Sequence, residues 1–119
     1  MNMNNPLLLA AIPVPQMNIQ IQQQFDNYII ILRTFPEHIL LRSILITLID
    51  GYIMYDELNN GERDDVINLR NDLYNRILDP NAKWLLDAIM EIVGNATYLQ
   101  RIHIFNRIVN MFRNPNIAG

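Results

Sequence analysis

The chain contains no cysteine, which excludes a disulfide framework, a thiol nucleophile and thiolate metal ligation. Lysine is nearly missing as well: Lys83 is the single lysine among nine Lys and Arg residues. Arginine's forked, planar donors suit ion pairs and interfaces. Low lysine alongside many Ile and Asn would also suit a viral or other pathogen-derived chain exposed to host ubiquitination. A long uninterrupted apolar run is lacking too. The longest apolar stretch, Ile39–Tyr55, carries Arg42 and Asp50 and is cut off upstream by Pro36, so no transmembrane span is expected. The run Leu7–Ile12 has no basic region before it and is short for a signal-peptide core. A net charge of -3 provides no general attraction for nucleic acid or an anionic membrane.

What is present points to a packed globule. Apolar residues make up 50% of the 119 and charged residues 18%, enough to bury one core in a single domain. A soluble, intracellular protein is the expectation, in the cytoplasm or, for a viral chain, in the host cell or virion.

Punctuation divides the chain into an arm at residues 1–15, a helical domain at 16–113 and a short tail at 114–119. Pro6, Pro13 and Pro15 deny the arm a regular helix. From about Gln16, Met17, Ile21, Phe25, Tyr28, Leu32 and Phe35 recur at helical steps, and Pro36 ends the pattern. A second, strongly apolar helix is expected from Pro36 or Glu37 to about Leu58. Its Leu40, Leu41, Ile44, Leu45, Leu48, Ile49, Tyr52 and Ile53 leave only Ser43, Thr47 and Asp50 as a polar strip, which places it at the centre of a bundle. Asn59-Asn60-Gly61 breaks the chain before a third helix that is expected to bury Val66, Leu69, Leu73 and Ile77, with Tyr74 alongside. A fourth helix, from about Pro80 to Val93, is expected to bury Trp84, Leu85, Ala88, Ile89 and Ile92. A fifth, from about Ala96 to Arg113, is expected to bury Leu99, Ile102, Phe105, Val109 and Phe112. The fold class is therefore all-α: a compact bundle of about five helices with an extended N-terminal arm.

One stretch imitates a known chemistry. Ile49–Leu58, IDGYIMYDEL, supplies Asp, Gly, Ile and Glu at the fifth, sixth, eighth and twelfth positions of an EF-hand calcium loop. The same register puts Ile46 first and Leu48 third, and neither can ligate a hard cation. Starting at Asp50 or Asp56 also loses essential ligands. Continuous helix explains the pattern, with Gly51 marking a kink or a close helix contact. The acidic group Asp56, Glu57, Glu62, Asp64 and Asp65 reads as a solvated turn and a helix start.

No catalytic, cofactor-binding or metal-binding residue emerges. His38 and His103, the two imidazoles, have no Ser or Asp at a spacing that suggests a triad or a metal site. Arg101, Arg107 and Arg113 point in three directions on a helical wheel and form no phosphate-binding stripe. Two arginines are out of place. Arg70 lies between Val66 and Leu73, and Arg101 near Tyr98 and Phe105, each on an apolar face. Such a charge must pair internally, snorkel or meet a partner; Asp50 is a candidate pairing group. Leu7, Leu8, Leu9 and Ile12 put apolar surface on an arm that has no core of its own.

These features lead to a non-enzymatic interaction or structural subunit of a homo- or hetero-oligomeric assembly. Its contact residues would be Leu7, Leu8, Leu9, Ile12, Arg70 and Arg101, its partner another copy or a different protein. No cofactor and no small-molecule substrate are inferred. The alternative is an adaptor or inhibitor that takes a partner's amphipathic helix into a hydrophobic groove. Nucleic-acid binding through the fifth helix ranks below both.

Overall fold

The computed structural model describes residues 18–113, and five α-helices fill them: α1 (Ile19–Leu32), α2 (His38–Ile53), α3 (Asn60–Tyr74), α4 (Pro80–Asn95) and α5 (Tyr98–Arg113). A single 3₁₀ turn, Tyr55–Glu57, separates α2 from α3, and no strand occurs among the described residues. The all-α bundle expected from periodicity is the fold. The arm and the tail, with Leu7, Leu8, Leu9 and Ile12, lie outside the described residues.

Each start has a local cause. The Asn18 side chain accepts from the Gln20 amide at 2.8 Å, so α1 opens at Ile19 and not near Gln16. Asn59 and Glu62 form a reciprocal box: Asn59 Oδ1 accepts from the Glu62 amide at 2.8 Å, and the Asn59 amide donates to Glu62 Oε1 at 3.1 Å. Asp79 caps α4, with Pro80 at its first position. Thr97 and Gln100 build a second reciprocal pair that starts α5 at Tyr98, after Asn95, Ala96 and Thr97 have ended α4.

α2 is the central element, packed against α3, α4 and α5, while α1 packs on α4. It buries Leu41, Ile44, Leu45, Leu48, Ile49 and Tyr52 and leaves Ser43, Thr47 and Asp50 exposed, as its polar strip required. It stops five residues short of Leu58. Beyond Met54 the chain tightens into the 3₁₀ turn, where Tyr55 stacks on Tyr52 with centroids 4.9 Å apart. Arg63 of α3 then holds the turn, donating to the Tyr55 carbonyl at 3.0 Å and the Asp56 carbonyl at 2.6 Å. Gly51 lies inside α2 with no positive φ, so there is no calcium-loop turn. An added Cβ would meet Val66 at 3.6 Å, an ordinary contact, and no close helix approach demands glycine there.

The apolar faces of α4 and α5 differ from those read off the sequence. α4 buries Ala82, Leu85, Leu86, Ile89, Met90 and Val93, while Trp84 is 66% exposed. α5 buries Arg101, Ile104 and Ile108 and leaves Leu99 exposed, with Ile102, Phe105 and Val109 half-buried. Both corrections amount to about one residue's rotation around the helix, 100°. In α3 only Leu73 is fully buried, Leu69 is exposed, and Ile77 reaches the core from the loop after the helix. Among the described residues no helix is long and apolar enough to cross a membrane.

Candidate functional site: a trough over the fourth helix

With its core face turned inward, α4 displays Trp84, Asp87, Ala88 and Glu91 on the opposite side. Tyr28 of α1 meets Trp84 edge to face, centroids 6.5 Å apart and rings at 83°. Such a pair contributes about 0.5–1.5 kcal/mol beyond burial and holds the indole in one orientation. Trp84 is the chain's only tryptophan.

Two clefts flank this row. The wider, about 580 Å³, is bounded by Tyr28, Tyr52, Arg70, Trp84, Asp87 and Met90. The narrower, about 310 Å³, runs between α1 and α4 past Asn18, Ile21, Gln24, Ile92 and Ala96. Tyr28, Ala88 and Glu91 line both, so the two join into one trough across α4, walled by α1 on one side and α3 on the other. Aromatic and small apolar groups alternate with a few fixed polar ones, a composition suited to gripping an apolar segment with a polar edge.

Arg70 is half-buried in the wider cleft and donates from Nη1 to the Tyr52 hydroxyl at 3.3 Å. Tyr52 in turn is held by its stack with Tyr55, over which the Arg63 guanidinium lies 5.4 Å from the ring centroid. Behind the cleft the Tyr74 hydroxyl is enclosed without a hydrogen bond of standard geometry. Burial first, and the neighbouring Asp87 carboxylate second, hold its pKa above the ordinary 10.0, with Arg70 pulling the other way.

Arg101 has a different environment. Only 3% exposed, it donates from Nε to the Val93 carbonyl at 2.9 Å, from Nη2 to the Gly94 carbonyl at 3.0 Å and from Nη1 to the Tyr52 carbonyl at 2.9 Å. These carbonyls belong to the last turns of α4 and α2, where helix dipoles concentrate negative charge. Its one carboxylate contact is Asp56 at 3.5 Å, not Asp50, and Asp56 is 75% exposed. The contribution of Arg101 is therefore to join two helix ends inside the bundle. Of the two misplaced arginines, Arg70 faces the trough and Arg101 is enclosed.

The remaining candidates scatter. His38 Nδ1 lies 2.9 Å from the Phe35 carbonyl at the entry to α2, and His103 is exposed on α5. Arg107 forms a forked pair with Asp26 of α1, both bonds 2.7 Å, which holds its pKa above the ordinary value. Among the described residues no three His, Asp or Glu side chains gather where a metal ion could be held. Periodicity alone places Trp84 in the core, which hides the trough from the sequence. Asp87 and Glu91, three and seven positions after it, were the signal that its side of α4 is the wet one.

Comparison with protein-family models, with curated proteins and with solved structures finds no match.

Proposed function

We propose that this chain is a non-enzymatic interaction protein that takes an amphipathic helix of a protein partner into the trough over α4. The observation that carries this reading is Trp84, a large aromatic side chain held outside the core by Tyr28 at the edge of a continuous groove. Fixed aromatic groups beside small residues are the usual anchors of partner binding. Apolar side chains at helical spacing would enter between Tyr28, Ala88 and Met90, and Arg70, Asp87 and Glu91 would select polar groups at the edge.

The test is titration with an amphipathic model helix bearing a leucine face, followed through Trp84 emission. Saturable binding, weakened at least about tenfold in Trp84→Ala by loss of a central aromatic anchor, is the expected result. For that variant, binding is followed by calorimetry. Absence of binding in the intact chain and in chains with an opened trough would overturn the proposal.

A second reading, a subunit that assembles with copies of itself, is favoured by exposed apolar groups outside the trough. Ile19 and Ile30 share one stripe of α1, and Ile39 stands at the start of α2. Light scattering over a concentration range tests it: a mass above the monomer that falls in Ile30→Glu supports self-assembly, and a monomer throughout removes it.

A further inference from the structure

An open trough with an exposed tryptophan leaves apolar surface uncovered, and the chain itself holds a segment of matching chemistry. We propose that the trough is occupied in the resting protein by the chain's own N-terminal run Leu7–Ile12, docked on the same molecule. This deepens the function proposed above, since it makes the run an intramolecular competitor of the partner helix.

The path of the chain carries the argument. Asn18, where the described residues begin, is itself part of the narrower cleft, so the preceding residues start at the trough's mouth. From Asn18 the cleft follows α1 to Tyr28, about 15 Å at 1.5 Å per residue. The five residues Pro13–Met17, two of them proline, span about 16 Å at the 3.1 Å rise of an extended proline-rich chain. A chain folding back at Asn18 therefore brings Ile12 level with Tyr28 and Ala88. Leu7, Leu8 and Leu9 then continue over Trp84 and Met90 in the wider cleft.

Charge and tethering agree with this occupant. Residues 1–17 carry no charged side chain, so the segment sets no ionic group against the half-buried Arg70 or the apolar floor. A tether this short gives an effective concentration on the order of millimolar, so modest contacts suffice for occupancy. A second copy of the chain at micromolar concentration would not compete.

The full chain supplies its own probe, because Trp84 is its only tryptophan. Acrylamide quenching of Trp84 is compared between the unaltered chain and the double variant Leu8→Asp, Leu9→Asp, whose changes lie outside the described residues. Expected are a bluer emission and weaker quenching in the unaltered chain, independent of concentration, and loss of both in the variant. The variant should also bind the model helix about tenfold more tightly, because apparent affinity scales with the open fraction. Equal quenching in the two chains overturns the proposal. Protection that appears only with rising concentration and mass overturns it in favour of a second copy as occupant. Quenching that differs as expected while neither chain binds a helix supports self-docking and removes the partner-helix function.

Discussion

Arg101 Nη1 lies 2.9 Å from the carbonyl oxygen of Tyr52, a bond that crosses 49 residues and ties α5 to the end of α2. The same guanidinium holds the Val93 and Gly94 carbonyls of α4. One side chain thus bonds three carbonyls at two helix ends, of which that of Val93 also accepts from the Ala96 amide. Arg101→Ala would remove all three bonds and empty a buried site, and is expected to cost about 3–5 kcal/mol, read from denaturant unfolding. Arg101→Lys, with a compact ammonium instead of a fork, should fall between the two. Asp56→Ala should change stability by less than about 1 kcal/mol, because that carboxylate is mostly solvated.

That arrangement also explains where sequence reading succeeded and where it turned the wrong way. The central place of α2 was legible because its apolar residues outnumber every alternative and its polar strip is narrow. The bundle and its breaks were legible from Pro36, Asn59-Asn60-Gly61 and Asp79-Pro80. On α5 the buried stripe is Arg101, Ile104 and Ile108. A charged residue within it drew the apolar pattern toward Leu99, Ile102 and Phe105. On α4 the size of Trp84 had the same effect. Hydrophobicity ranks residues by transfer cost, but a guanidinium that meets three carbonyls offsets that cost, and an indole set edge to face against Tyr28 stays at the surface despite it. The trough needs α1, α3 and α4 together, and that meeting is encoded in packing, not in any local motif.

The pair Arg107–Asp26 fastens the two outer helices α1 and α5 across 81 residues. Its geometry is forked, yet both side chains keep partial contact with water. Asp26→Asn should therefore cost about 1 kcal/mol, less at high salt. Urea unfolding at low and high ionic strength measures both values, and an unchanged midpoint at low salt would show the pair to be stabilising nothing.

Tyr74 offers a test with a sign in pH. Its hydroxyl is enclosed beside the Asp87 carboxylate without a hydrogen bond of standard geometry, so Tyr74→Phe should change stability by less than about 1 kcal/mol near neutrality. Because folded Tyr74 keeps its proton beyond the ordinary pKa of 10.0, unfolding releases a proton above that pH. Stability of the unaltered chain should accordingly fall more steeply with pH above about 10 than that of Tyr74→Phe. Parallel pH curves would rule out the raised pKa.

α3 fully buries only Leu73, so it depends more than its neighbours on its start. Asn59→Ala removes one half of the reciprocal box with Glu62 and should cost about 1 kcal/mol. Hydrogen exchange in the first turns of α3 should accelerate while α2 stays protected, because little core is attached to that end. Uniform acceleration across α2 and α3 would mean that the cap stabilises the whole bundle and not one helix.

Gly51 is the one glycine of the calcium-like stretch Ile49–Leu58, and its surroundings decide its meaning. It sits in the last turns of α2 with helical backbone, and a Cβ would touch Val66 Cγ1 at 3.6 Å without displacing it. Alanine at a helical site of this kind gains about 0.5–1 kcal/mol over glycine through the smaller freedom of the unfolded chain. A calcium loop would behave in the opposite way, because its sixth residue must turn where a side chain is strained. Gly51→Ala should therefore raise the thermal midpoint, and calcium should shift the midpoint of neither protein. A lowered midpoint would mean that Val66 cannot share the space and that Gly51 is kept for helix packing.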